Sequence, residues 1–248
     1  MQLFAVDYND NRVHIDETHS NQQYFCPTCG VPLILKKGNI RQHHFAHTAH
    51  HECKDTWTRN REYDLSPWHF EWQSIFPKEN QEFTFSLGET KHRADVLIDR
   101  TVVEFQHSLL PSSRFDDRNN FYFNLGYKVI WLFNVSALYE KGNLSYSAGI
   151  NELCFSWKNP KQAFNAYDVQ NGQIDIFLQI TDEEKCIVRV KEVSPYGFES
   201  FTSTTLLSKD DFLNYVGLSQ GRKFLSRGHF YDGIIYENVR ERSICLNL

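Results

Sequence analysis

The chain has 248 residues, of which 41% are hydrophobic and 23% charged, which is enough to bury one large core or two modest ones. A net charge of −5 argues against coating nucleic acid by bulk electrostatics. There is neither an N-terminal apolar leader nor an apolar run near the ~18 residues a membrane helix needs, so a cytoplasmic protein with no membrane association is expected.

In chain order, residues 2–6 and 13–15 read as short strands around an Asn9-Asp10-Asn11 turn. Tyr24-Phe25 leads into a Cys26-Pro27-Thr28-Cys29-Gly30 knuckle, and residues 31–35 and 40–45 read as a hairpin. Of the six cysteines, Cys26, Cys29 and Cys53 lie close in sequence, whereas Cys154, Cys186 and Cys245 are scattered. Cys26-x-x-Cys29 and His44-x-x-His47 supply two thiolates and two imidazoles, the donor set of a closed, structural Zn2+ site. His43, His50, His51 and Cys53 are alternatives for the fourth ligand. Few aliphatic residues occur here, so a metal would supply folding energy. Between residues 36 and 61, Lys36, Lys37, Arg41, Lys54, Arg59 and Arg61 outnumber the acids, giving either a local basic face or a solvated surface.

A helix is expected from Ser66, a natural N-cap followed by Pro67 at the first helical position, to a stop at Pro77. Strands follow at 82–87, 93–98 and 101–106, the last two joined by a tight Asp99-Arg100 link. Ser113 and Asp116 have capping-box spacing for a second helix that ends near Gly126. Residues 127–133 are apolar almost throughout, as in a strand buried on both faces. Residues 134–149 turn polar, and strands at 153–157, 174–180 and 186–193 precede a helix capped by Ser208 and Asp211. Three units are expected: a zinc-binding β-rich module at 1–60, an αβββαβ core at 61–135 and an α+β region at 136–248.

Asp95 falls in the middle of one strand and Glu104 and Gln106 on the next, where alternation aims Glu104 and Gln106 to one face. An acid on a buried strand is costly without a partner. A Mg2+ or Mn2+ ion bridging Asp95 and Glu104 would satisfy both and would activate water against a phosphate. A salt bridge from Asp95 to Arg93 or Arg118 is the plain alternative. Gln106 could orient water only by hydrogen bonds, where a lysine would bring charge. His69, on the preceding helix, either faces this centre or caps a core surface.

The ordered series Tyr-Phe-Cys-Pro-Thr-Cys-Gly, Leu-Lys-Lys-Gly, His-Phe-Ala-His, Ser66-x-x-His69, Arg-Ala-Asp-Val-Leu-Ile, Glu-Phe-Gln-x-Ser and Gly-Tyr-Lys-Val-Ile-Trp resembles the competence protein CoiA-like family over residues 22–133. The resemblance implies a restriction-endonuclease-like PD-(D/E)XK core behind a zinc-finger-like segment. It places Asp95, Glu104 and Gln106 at the metal and catalytic positions and Ser108 and Arg118 at supporting ones. The expected function is Mg2+-dependent hydrolysis of DNA, in competence, recombination or another DNA-processing setting. A DNA-binding module without catalysis is the alternative. A third possibility is an adaptor or homo-oligomer that acts through residues 136–248.

Overall fold

A computed structural model describes residues 2–49, 51, 53, 66–107, 110–158, 174–194 and 197–218. His50, Lys54, Arg59, Arg61, Ser108 and Cys245, all singled out above, lie outside the described residues, as does the expected boundary at 60. No helix among the described residues is long and apolar enough to cross a membrane.

The described strands form three sheets. The first joins β1 (Phe4–Val6), β2 (Arg12–His14), β3 (Tyr24–Phe25), β4 (Pro32–Lys36) and β5 (His44–Ala46) in the order β2-β1-β3-β4-β5, antiparallel throughout. These strands are short, and their core is correspondingly small: Leu3, Phe4, Ala5, Ile15, Tyr24, Leu33 and Phe45 close around Cys26 and Cys53.

The second sheet dominates the molecule. It combines β6 (Gln81–Leu87), β7 (Thr90–Ile98), β8 (Thr101–Gln106), β9 (Lys128–Asn134), β12 (Ile174–Gln179), β13 (Lys185–Arg189) and β16 (Leu206–Ser208) in the order β16-β13-β12-β9-β8-β7-β6. β8, β9 and β12 run parallel, and the outer strands are antiparallel. β9 is buried from Val129 to Phe133, on both faces, as its apolar run requires. The third sheet, β10-β11-β15-β14, comprises β10 (Leu144–Ala148), β11 (Leu153–Trp157), β14 (Glu192–Ser194) and β15 (Gly197–Ser203).

Four α-helices are described: α1 (Pro67–Ser74), α2 (Ser112–Asn124), α3 (Ser136–Glu140) and α4 (Lys209–Tyr215). The helix, three strands, helix, strand order expected for residues 66–133 is present as α1-β6-β7-β8-α2-β9. Ser66 caps α1 by accepting from the His69 amide at 3.2 Å, with Pro67 opening the helix. Ser208 and Asp211 form the expected capping box on α4. The box expected at Ser113 and Asp116 does not form. α2 starts two residues earlier, with Pro111 in the N-cap position and no side-chain cap, because a proline N-terminal to the helix already fixes the entry angle. Gly126, at φ +75°, ends that helix, and a side chain there would run into Arg100.

The helices cover the large sheet on opposite sides. α1 and α4 enclose one core with Trp72, Phe76, Val96, Phe105, Phe177 and Phe212. α2 and the third sheet enclose the other with Phe115, Tyr122, Trp131, Phe155 and Phe201. Hence the large sheet does not stop at residue 135, where a separate region was expected to begin. The polar stretch after β9 leads into the excursion β10-β11, and the chain then returns to lay β12 parallel to β9.

The first sheet packs on the β6 edge of the large one. Arg12 donates to the carbonyls of Lys78, at 3.0 Å, and Gln81. Lys78 pairs with Glu17 at 3.0 Å, and Phe70 of α1 packs into the small core.

Candidate functional site

Two polar centres stand out. In the first sheet, the ligand atoms of Cys26, Cys29, His47 and Cys53 all lie within 4.8 Å of one another. Cys26 Sγ and Cys53 Sγ are 3.9 Å apart, near the ~3.8 Å edge of a tetrahedron with Zn–S bonds of about 2.3 Å. Cys29 Sγ lies 3.3 Å from His47 Nε2 and 3.5 Å from His51 Nε2, whose ring stacks on His47. Cys26 is drawn down to about 3 by its contact with Cys53, against burial and with help from His47, so a thiolate is already favoured there. Three sulfurs and one imidazole in a largely buried cluster fit zinc.

His44 is not a member. It lies on β5, where the buried Phe45 sets the inward face, and its Nδ1 engages the Gln42 carbonyl at 2.8 Å. His47 lies just past the end of β5, with its Nε2 3.3 Å from Cys29 Sγ, so the His-x-x-His spacing does not bring both imidazoles to one ion. Cys53 takes the fourth position instead.

The second centre lies where the β7–β8 ladder opens. Pairing runs from Ile98↔Thr101 to Val96↔Val103 and ends there, so Asp95 and Glu104 face each other across the gap. The Phe105 amide, the next donor past the split, is taken up by Asp95 Oδ2 at 2.8 Å. α1 closes on Asp95 from the other side. His69 Nε2 comes within 3.2 Å of Asp95 Oδ1, and Gln73 donates to the Asp95 carbonyl at 3.0 Å. His69 therefore faces the centre. Its Nε2 makes the ion-pair approach without a well-angled hydrogen bond, and the buried Gln73 Oε1 is also without a hydrogen-bond partner.

Glu104 is deeply buried. Arg118 approaches Glu104 Oε2 at 3.3 Å, and the Tyr122 hydroxyl donates to Oε1 at 2.6 Å. Arg118 thus pairs with Glu104 and not with Asp95. Burial, followed by the neighbouring Asp95 carboxylate, pushes Glu104 up to about 8. Burial also opposes the charge on Asp95, but His69 and the Phe105 amide overcome it and hold that carboxyl below its ordinary value. Two acids this close disfavour each other's charge, and Glu104 is the one pushed toward its protonated form. The two carboxyls could hold a divalent cation between them, which would remove the penalty of placing two negative charges side by side. Gln106, buried on the same strand, adds an amide but no charge.

Sequence patterns did not single out Gln73, Tyr122 or Glu82. The first two act through contacts between α1 or α2 and the sheet, which no local spacing encodes. Glu82 carries no signal of its own, because it falls on the polar side of the Glu82-Phe83-Thr84-Phe85-Ser86-Leu87 alternation and reads as solvent-facing.

Compared with protein families, residues 8–55 match the N-terminal domain of competence protein CoiA, and residues 68–209 match its nuclease-like domain. No curated protein and no solved structure matches the chain. The nuclease-like match covers more than half of the sequence and takes in α1, α2 and all seven strands of the large sheet. With the N-terminal domain in its proper place ahead of it, the chain belongs to the competence protein CoiA family.

Proposed function

We propose that this chain is a Mg2+- or Mn2+-dependent DNA endonuclease of the PD-(D/E)XK type, with Asp95 and Glu104 as its metal ligands. The observation that carries this reading is the pair of facing carboxyls at the end of a strand ladder, inside a domain of a nuclease-like family. Two ionised acids this close repel each other, and a divalent cation between them would relieve that repulsion.

Each residue has a definable task. Asp95 is oriented through Oδ2 by the Phe105 amide and through Oδ1 by His69. Arg118 and Tyr122 hold Glu104 in one rotamer. Gln106 orients water through its amide, and Arg118, the nearest fixed cation, offsets charge that builds on a phosphate. A divalent ion bound by the two acids would supply the acidified water and neutralise the scissile phosphate. A zinc ion in the Cys26, Cys29, His47 and Cys53 cluster would be structural, since four protein ligands leave no position for a substrate.

The test is cleavage of single- and double-stranded DNA in Mg2+ and Mn2+, with Asp95→Ala and Glu104→Ala alongside. Cleavage that survives both substitutions removes the assignment. One observation favours a second reading, DNA binding without cleavage: Gln106 stands where a lysine would bring charge to the attacking water. Salt-dependent binding with no cleavage in either metal would select it.

A further inference from the structure

We propose that Glu82 is a positioning residue, through which the Cys/His sheet sets the geometry of Asp95. This rests on the reading of Asp95 as a metal ligand, and the experiment below separates the two.

Glu82 lies directly across from Asp95 between the paired positions Gln81↔Val96 and Phe83↔Ala94, yet it makes no ladder pair of its own. Its backbone is at φ +47°, the left-handed region that a glutamate rarely enters. The strands change face at this level. Gln81 reaches the Phe76 carbonyl and Val96 joins the α1 core, whereas Phe83 and Ala94 belong to the α2 core. Residues two apart on a regular strand could not divide in this way. The irregularity at Glu82 therefore accompanies the turn of β7 that presents Asp95 to the gap.

What holds Glu82 in that conformation is the first sheet. Its carboxylate accepts the Leu3 amide at 3.0 and 2.9 Å and the Phe4 amide at 3.2 Å, with only 4% of the residue exposed. Charge-assisted bonds to backbone amides in a buried setting are strong enough to fix a strained backbone. Arg93, the residue before Ala94 on β7, approaches the same carboxylate at 3.8 Å. A second link runs in parallel: Phe70, next to His69 on α1, packs into the core that contains Cys26 and Cys53. The metal-binding sheet thus grips both flanks of Asp95, one through Glu82 and the other through the neighbour of His69.

The experiment uses the full zinc-loaded chain with Glu82→Gly and Glu82→Gln. Glycine adopts φ +47° without strain, so Glu82→Gly removes the carboxylate tether while relieving the backbone. Two quantities are read: Mn2+ affinity by calorimetry, and, in chain free of added Mn2+, the Asp95 carboxyl-carbon and Phe105 amide resonances. Glu82→Gly is expected to keep its zinc, to weaken Mn2+ binding roughly 10- to 100-fold and to shift both resonances. Glu82→Gln, which retains one acceptor oxygen, is expected to fall between it and the wild type. Wild-type Mn2+ affinity together with unmoved resonances in Glu82→Gly overturns the role of Glu82. If even the unsubstituted chain binds no Mn2+, the metal reading fails, and the two resonances still decide whether Glu82 positions Asp95.

Discussion

The two polar centres differ in what holds them together. The Cys/His cluster rests on strands of two to five residues and on a small core in which two of the nine buried members are themselves cysteines. The carboxylate centre sits in a seven-stranded sheet with an apolar core on each side. A site on a thin scaffold needs its ion in order to fold, whereas a site on a thick one can hold two acids close together before any ion arrives. With metal bound, the first would act as a folding centre and the second as a preorganised one.

The largest effect expected from that contrast is on cleavage. Asp95→Ala should lower metal-dependent DNA cleavage by ~10³-fold or more, the equivalent of several kcal/mol of transition-state stabilisation. Its far-ultraviolet spectrum should be unchanged, and a variant that loses its fold would break the contrast. Next comes zinc removal. A chelator, or Cys26→Ser, should abolish cooperative melting of the first sheet and leave the second transition within a few degrees of its starting point. Simultaneous loss of both transitions would show that the large sheet depends on the small one.

A subtler test uses pH. In the metal-free fold Glu104 is raised to about 8 from its ordinary 4.5, so the unfolded chain gives up this proton first. The stability it contributes is complete below about pH 4.5 and is lost as pH rises toward 8. Asp95 is shifted the other way, and its contribution is lost only on acidification below its ordinary value of 3.8. The thermal midpoint of metal-free protein should therefore fall between pH 5 and 8, by an amount on the order of a few kcal/mol in stability. Glu104→Gln should flatten that fall; an identical slope in the variant would remove Glu104 as its source. The smallest effect expected is that of Tyr122→Phe. It removes one hydrogen bond to Glu104 and should reduce Mn2+ affinity by roughly tenfold, measured by calorimetry at fixed pH.

Local chemistry made part of this legible in advance. Ser66-Pro67 and Ser208 with Asp211 mark helix starts by hydrogen bonds that span only a few residues. The apolar run at 127–133 marks a strand with no solvent face. Asp95, Glu104 and Gln106 could be grouped because a tight turn joins their strands, which makes the partners nearly local. The failures share the opposite character. His44 and His47 have a ligand-like spacing, but His44 lies in β5 and turns to the Gln42 carbonyl, whereas His47, just past the strand, meets Cys29. Cys53 was legible only as one of four alternatives, because it lies 24 residues beyond Cys29, with the hairpin and its two histidines between them. The boundary at 135 followed a real change in composition, but β12 returns to β9 across forty residues, a pairing that composition cannot reveal. Gln73, Tyr122 and Glu82 owe their roles to neighbours in other elements.

β6 is the outermost strand of the large sheet, and the Arg12 contacts fall on its approach, at the carbonyls of Lys78 and Gln81. Such a border carries unused donors and acceptors that can recruit a strand from another molecule. The N-terminal sheet takes up one of those acceptors, the Gln81 carbonyl, through Arg12. A truncated chain beginning after residue 55 should tend to self-associate edge to edge, even if its interior packing is intact.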